Sequence, residues 1–138
     1  MTDENTSSDD ADILARTLIG EARGEGKPGM EDVACVVMNR VAKQTWYGRT
    51  AGEVCLKLWQ FSCWNRDDPN RQYLLSLDTG SAIYLDALAI ARKAIAGELP
   101  DRTDGATHYR RIGTPASWWK GQAPCFTEGH HEFFNDID

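Results

Sequence analysis

The chain has 138 residues and a mass of 15.4 kDa, the size of one domain with a single hydrophobic core. Hydrophobic residues make up 41% and charged residues 26%, and no apolar run approaches the roughly 20 residues of a membrane-spanning helix, so we expect a globular protein that does not insert into a membrane. The net charge of −6 and the isoelectric point of about 5.0 argue against a broad nucleic-acid interface. The candidates for a local cationic patch are Arg102, Arg110, Arg111 and Lys120.

The N-terminal region begins with the polar residues MTDENTSSDD, for which we expect a disordered tail over 1–10 ahead of a single domain over 11–138. It has neither the basic start nor the apolar stretch of a secretory signal. Asp9 or Asp10 can cap a first helix that runs to about Arg23, since its apolar residues fall at helical spacing. The GEGKPG segment at 24–29 predicts a break after that helix.

A nearly continuous apolar stretch over 30–43 predicts a central, mostly buried helix. Glu31 and Asp32 lie in its predicted first turn, where the helix dipole favours negative charge. We expect Asn39 and Arg40 to tie this helix to a neighbouring loop.

Two more helices are predicted from their start and stop signals. Thr50 followed three residues later by Glu53 is a capping-box pattern, which predicts a short helix over about 51–58. Apolar residues at helical spacing fill 82–95, and a glycine and a proline soon afterwards end that helix.

The remaining segments, 59–73 and 101–138, mix aromatic residues with glycine, proline and other turn residues and show no helical period. We predict an ordered loop or a short hairpin in the first segment, and loops with short strands in the second. The fold class is therefore mainly α with a minor β part, an α+β arrangement of about four helices.

Two glutamates at the end of the first predicted helix raise a chemical question, because a helix C-terminus disfavours negative charge. Glu21 and Glu25 lie four residues apart with Arg23 between them. A glutamate partly buried in an apolar cleft holds its proton and can deliver it to a leaving-group oxygen, as glycosidic cleavage requires. The alternative is that both glutamates simply solvate the helix end, paired with Arg23 or Lys27.

Aromatic residues are frequent in the predicted loops, where rings and small polar groups suit a sugar ligand. The rings could equally fill a small core, which we expect for Trp46 and Phe133. These rings include Trp46, Tyr47, Trp59, Phe61, Trp64, Tyr109, Trp118, Trp119, Phe133 and Phe134.

We predict no cofactor and no metal site. The three histidines show neither HExxH nor a comparable ligand spacing. The four cysteines include no CxxC pair and no marked nucleophile. We expect no disulfide, although Cys55 and Cys63 are close enough in sequence to pair in an oxidising compartment.

Several motifs together resemble the SleB-type cell wall hydrolases, a family known for spore-cortex lysis and also found in bacteriophage endolysins. The most specific signal is GEARGE at 20–25 followed by VACVVMNRV at 33–41. The resemblance continues through WQFSCW at 59–64, DGATHYRR at 104–111, PASWW at 115–119 and GHHEFF at 129–134.

The resemblance implies a fold similar to that of lysozyme and the lytic transglycosylases. It also implies cleavage of the β-1,4 bond between N-acetylmuramic acid and N-acetylglucosamine in peptidoglycan. Glu21 matches the family's catalytic glutamate. It would protonate the glycosidic oxygen and then take the proton of the muramic C6 hydroxyl, which leaves a 1,6-anhydromuramic end.

The same resemblance suggests residues that contact the substrate. Gln60, Ser62 and Tyr109 are candidates for positioning the N-acetyl group or stabilising the developing positive charge. His131 matches the histidine of the family's G-x-H-x-F element. Glu25, which we group with these residues, is given no acid or base role and is expected as a structural or electrostatic neighbour.

Three alternatives stay open at this point. They are a hydrolytic muramidase in which Glu25 and a water complete the chemistry, a metal-dependent N-acetylmuramoyl-L-alanine amidase, and a non-catalytic glycan-binding module. We expect a monomer whose partner is the peptidoglycan glycan strand. Without a signal peptide, it would be made in the cytoplasm and reach the wall after the membrane opens, as a phage or prophage endolysin does.

Overall fold

The computed structural model describes residues 4–57 and 61–137, with side chains from residue 9 onward. These residues form α1 (Glu4–Ala22), α2 (Gly26–Lys43), α3 (Ala51–Leu56), α4 (Pro69–Leu75) and α5 (Ala82–Ile95), followed by β1 (His108–Arg111), β2 (Phe126–Glu128) and β3 (His131–Phe134). Short 3-10 turns span Arg23–Glu25 and Ser62–Trp64. Among the helices of this described part, none is long and apolar enough to cross a membrane.

Three helix predictions agree well with the observed elements. α1 ends at Ala22, next to the predicted end, but it begins at Glu4 and so includes residues 4–10 of the predicted disordered tail. The predicted cap at Asp9 or Asp10 was wrong, because both residues lie inside the helix. α3 has the predicted cap, because Thr50 Oγ1 accepts a hydrogen bond from the Glu53 amide at 3.2 Å. α5 covers the predicted span and is capped by Ser81.

The predicted break after the first helix is confirmed, because α1 ends at Ala22, but the break is shorter than GEGKPG. The Arg23–Glu25 turn leads directly into α2, which begins at Gly26 rather than at residue 30. Pro28 lies in the first turn of α2, where its missing N–H costs no intrahelical hydrogen bond.

The prediction of an ordered loop or short hairpin over 59–73 was wrong for residues 69–73, where α4 begins, and residues 59 and 60 lie outside the described part of the chain. The Asp68 side chain accepts a hydrogen bond from the Asn70 amide at 2.8 Å, and Pro69 occupies the first helical position. This pair is a standard helix start signal.

The main core lies where α1 packs against α2, α3 and α5. A second cluster, formed by Val36, Ala106 and Phe133, joins α2 to the sheet. The strand order is β1-β3-β2, with both pairs antiparallel. Tyr109 pairs with Phe133, so Tyr109, His131 and Phe133 lie on one face of the sheet.

The sheet is tied to α2 by polar contacts as well. Asn39 donates to the carbonyl oxygen of Ala106 at 2.9 Å and Arg40 Nε donates to that of Thr107 at 2.7 Å, which confirms their predicted linking role. Arg102 bridges Asp32 of α2 and Glu128 of β2. The helical and strand parts therefore form one packed body.

Candidate active site

Glu21 is half-buried in the last turn of α1, facing β1. The Tyr109 hydroxyl donates a short hydrogen bond to Glu21 Oε1. Burial, together with the negative charge of Glu21, raises the pKa of Tyr109 well above its ordinary value. Tyr109 is therefore a protonated donor at any physiological pH.

Cys63 is a second neighbour of Glu21. Burial and the neighbouring Glu21 charge raise the pKa of the Cys63 thiol, so the thiol keeps its proton. This approach depends on Gly20, where a Cβ would lie 2.8 Å from the Cys63 Cβ. Only glycine lets the Ser62–Trp64 turn come this close to α1, and sequence reasoning missed both residues.

Arg40 places a buried positive charge near Glu21 and Tyr109. Its guanidinium lies 5.3 Å from the Tyr47 ring centroid and 5.1 Å from that of Phe61, and only 5% of the residue is exposed. Burial lowers the pKa of Arg40, whereas nearby acidic groups, including the Glu21 carboxylate, act in the opposite direction. An arginine remains charged under these conditions.

Glu25 is engaged by the hairpin between β2 and β3. Its Oε1 lies 3.3 Å from the His130 amide, which donates to it, and 3.0 Å from His130 Nδ1. Gly129 lies close to the same carboxylate, because a Cβ at this position would lie only 2.3 Å from Glu25 Oε2. Burial raises the pKa of Glu25, but the hydrogen bonds and charge of His130 outweigh it, so the net pKa is lowered. Glu25 is thus an ionised anchor for the hairpin.

His131 lies behind Tyr109 rather than beside Glu21. Its ring meets the Tyr109 ring edge-on, with centroids 5.2 Å apart, and the residue is 8% exposed. Burial lowers the pKa of His131, although Glu25 raises it. The ring is therefore neutral at physiological pH and supports the position of Tyr109.

Ser62 is exposed at the start of the Ser62–Trp64 turn, next to Cys63. Gln60 lies outside the described residues, as does Trp59. The structure thus brings together Glu21, Tyr109 and His131 from the predicted site, with Ser62 at its edge.

The rings divide between core and surface. Phe133 is fully buried, as predicted, whereas Trp46 is 58% exposed and the prediction that it fills the core was wrong. Two members of the proposed cationic patch are already paired, Arg102 with Asp32 and Arg110 with Glu132.

The four cysteines are free thiols, and burial raises the pKa of each of them. None of them has the lowered pKa of a thiolate nucleophile. Within the part of the chain that the structure describes, no group of three or more His, Cys, Asp or Glu residues is arranged to hold a metal ion.

Known proteins resemble this chain in both sequence and fold. It is 28% identical to the spore cortex-lytic enzyme of Halalkalibacterium halodurans over 132 residues, or 94% of this chain. The chain spans 36% of the length of that relative. The catalytic domain of the Bacillus cereus SleB protein superposes with a TM-score of 0.70 over 92% of this chain and 90% of that one, at 24% identity. This likeness confirms the predicted mainly α, lysozyme-like fold.

The sequence model of the family described as Cell Wall Hydrolase matches residues 24–134, well over half of the chain. The match includes Glu25, Tyr109 and His131 and begins after Glu21. The chain therefore belongs to the cell wall hydrolase family.

Proposed function

We propose that the chain cleaves the β-1,4 bond between N-acetylmuramic acid and N-acetylglucosamine as a lytic transglycosylase, with Glu21 as both acid and base. The observation that carries this proposal is the unequal engagement of two glutamates. Glu21 is half-buried beside Tyr109 and Cys63, whereas Glu25 is held by His130. Both carboxyl groups accept a hydrogen bond at Oε1, but, against the effect of burial, His130 lowers the pKa of Glu25 and so keeps it ionised. Glu21 is then the one carboxyl group of the pair left for a reaction in which the same group gives and then takes a proton.

In the first step, protonated Glu21 gives its proton to the glycosidic oxygen as the bond from that oxygen to the muramic C1 breaks. The Tyr109 hydroxyl bound to Oε1 stabilises the carboxylate that this leaves. The buried charge of Arg40 favours the same carboxylate, because charges interact strongly where water is excluded.

In the second step, the C6 hydroxyl of the same muramic residue attacks C1 and its proton passes to Glu21. A bond from C1 to the C6 oxygen replaces the bond to the leaving sugar, Glu21 regains its proton, and no water is consumed. A hydrolytic glycosidase instead uses two carboxyl groups around the scissile bond. Glu25 is the nearest candidate in sequence for a second one, but His130 already occupies its Oε1.

The supporting residues fall into two groups in this proposal. Tyr109 contacts Glu21, and Ser62 lies on the turn that brings Cys63 to it, so these two are placed to touch the sugar. Gln60, which lies outside the described residues, keeps the substrate-binding role that the resemblance suggests. His131 and Glu25 act through the sheet, His131 by packing on Tyr109 and Glu25 by anchoring the hairpin.

The test is a digest of purified peptidoglycan by the wild-type chain and by Glu21→Gln, with the products read by mass spectrometry. We expect 1,6-anhydromuramic ends from the wild type and none from the variant. Glu98→Gln, an exposed substitution of the same kind on the loop after α5, is the matched control and should behave as wild type.

Other product patterns would select other mechanisms. Reducing muramic ends would establish a muramidase and transfer the second role to water, and released stem peptides would establish an amidase. Full activity in Glu21→Gln would refute the role of Glu21. Binding of glycan without turnover by the wild type would leave the glycan-binding module as the function.

We further propose that the active form is a 15.4 kDa monomer and that it lyses cells as an endolysin does, once it reaches the wall. Light scattering during gel filtration tests the first point. Expression in a bacterial cytoplasm with and without a co-expressed holin tests the second: rapid lysis is expected only when the holin is present, and only with Glu21 intact.

A further inference from the structure

Two adjoining cavities lie on the surface between the Ser62–Trp64 turn, α1 and α4. The first has a volume of about 630 Å³ and is lined by Trp64, Arg71 and the chain between them. The second, of about 590 Å³, is lined by Trp64 and Arg71 again, together with residues of α1, α3 and α4. Because they share two lining residues, they form one continuous surface, which we call the Trp64–Arg71 groove. Each half has the volume of a small-molecule site.

The groove lies next to Glu21. The indole Nε1 of Trp64 donates to Thr17 Oγ1 at 2.8 Å, and Thr17 is one helical turn before Glu21 on α1. That turn is about 6 Å along the helix axis. Cys63, adjacent to Trp64, contacts Glu21 itself. A strand that passes Glu21 therefore has the groove within reach of its substituents.

The free charge in the groove is mainly positive. Asp68 caps α4 and Arg16 pairs with Asp12, so these groups are already engaged. Arg66 and Arg71 are exposed, and among residues 9–57 and 61–137 neither guanidinium has a hydrogen bond or ion pair. Asp67 is the acidic side chain beside them that likewise has no partner within those residues.

A guanidinium binds a carboxylate with two parallel hydrogen bonds, and an indole face suits aliphatic C–H groups. Peptidoglycan offers both in one substituent, the stem peptide on the muramic lactyl group, which carries free carboxylates and short alkyl side chains. A bare glycan strand presents hydroxyl and N-acetyl groups but no such carboxylates.

We propose that the Trp64–Arg71 groove binds the carboxylate-bearing stem peptide of the muramic residue processed at Glu21, through Arg66 and Arg71. The proposal rests on the proposed action on peptidoglycan. It makes the chain selective for strands that carry peptides over strands stripped of them.

The test uses binding, so that it does not depend on turnover. The Glu21→Gln variant is titrated calorimetrically with a disaccharide-tetrapeptide muropeptide and with the same disaccharide lacking the peptide. We expect the muropeptide to bind about tenfold more tightly, the combined effect of two exposed guanidinium–carboxylate contacts. Adding Arg66→Ala and Arg71→Ala should abolish that difference while leaving disaccharide binding unchanged.

The matched control is Arg49→Ala with Arg92→Ala on the same background, which removes the same charge from exposed positions outside the groove. It should keep the preference. Replacing Arg66 and Arg71 by lysine, which keeps the charge but loses the planar fork, should retain part of it. Added salt should weaken the preference because the contacts are exposed. Far-UV circular dichroism confirms that each variant is folded.

Equal binding of the two ligands by Glu21→Gln, or a preference that persists without Arg66 and Arg71, overturns the groove proposal. These results differ from a failure of the proposed function. If the wild type cleaves peptidoglycan but shows no peptide preference, only the groove proposal fails. If it cleaves no glycan yet binds the peptide through these arginines, only the catalytic proposal fails.

Discussion

The carboxyl group of Asp32 is expected to titrate near neutral pH and to weaken the fold as the pH rises. Asp32 is fully buried in α2, and its Oδ1 lies 3.1 Å from Arg102 Nε. Neither carboxylate oxygen accepts a well-formed hydrogen bond from the described residues. Burial raises the pKa of Asp32 by more than the attraction of Arg102 lowers it, and the nearby Glu128 charge raises it further. The pKa of Asp32 therefore rises from 3.8 to about 7.

The sign and size of the effect follow from this shift. Between pH 3.8 and about 7 the folded chain keeps a proton on Asp32 that the unfolded chain has lost, so this stabilisation is complete at low pH and disappears as the pH rises through the folded pKa. The full difference corresponds to about 4 kcal/mol, and the part lost from about pH 5.5 to about pH 8.5 is about 2 kcal/mol. That is a large fraction of the stability of a small domain.

The wild-type profile alone does not isolate this contribution. Burial lowers the pKa of His108 to about 4, so His108 makes the fold more stable as the pH rises towards 6.5. The useful quantity is the difference between wild type and Asp32→Asn, whose amide has a similar shape and does not titrate.

Urea unfolding of both proteins, followed by circular dichroism across this pH range, gives that difference. We expect Asp32→Asn to gain about 2 kcal/mol relative to wild type between about pH 5.5 and about pH 8.5. Arg102→Gln should move the wild-type transition to higher pH, and the exposed Asp67→Asn should leave it unchanged. A pH-independent difference for Asp32→Asn would show that Asp32 stays ionised and would refute the reasoning.

Three further predictions concern the candidate active site. Tyr109→Phe removes the donor to Glu21 and should lower kcat about 10- to 100-fold with the thermal midpoint little changed, as steady-state turnover of peptidoglycan and thermal unfolding will show. Gly20→Ala places a methyl carbon 2.8 Å from the Cys63 Cβ and should lower the free energy of unfolding by about 1–3 kcal/mol, as measured by urea unfolding. The control is the reverse change nearby on α1, Ala22→Gly, which relieves no clash and should cost about 1 kcal/mol. Glu25→Gln weakens the contact between Glu25 and the β2–β3 hairpin, so it should reduce the rate of glycan cleavage. The ratio of anhydro to hydrolysed ends, measured by mass spectrometry, should stay the same, and a change in that ratio would give Glu25 a direct chemical role.

The helices were predictable where local signals and burial agree. The α3 cap is a contact between residues three apart, so Thr50 and Glu53 reveal it directly. α5 has a strong apolar period and a clear stop. α4 carried an equally good start signal in Asp68 and Pro69, but the surrounding aromatic residues concealed it.

The prediction failed where tertiary contacts override local preference. GEGKPG does interrupt the helix, but α2 begins at Gly26, inside the motif, rather than after it. Asp32, which we expected in the first turn of this helix, lies in its second turn and is fully buried. Likewise, the sequence places Glu21 at a helix end, but it does not reveal that Cys63 and Tyr109 meet there.

In the proposed mechanism, the two glutamates of GEARGE have different roles because they meet different parts of one sheet. Glu21 bonds to Tyr109, 88 residues away, and Glu25 to His130, 105 residues away. β1 and β3 are paired, and His131, next to His130, packs on the Tyr109 ring. A shift of the hairpin at Glu25 is therefore carried through His131 to the hydroxyl that bonds to Glu21. On this argument the spacing of four residues sets the position of the sheet relative to α1, so a loss of Glu25 misplaces Tyr109 without removing the acid itself.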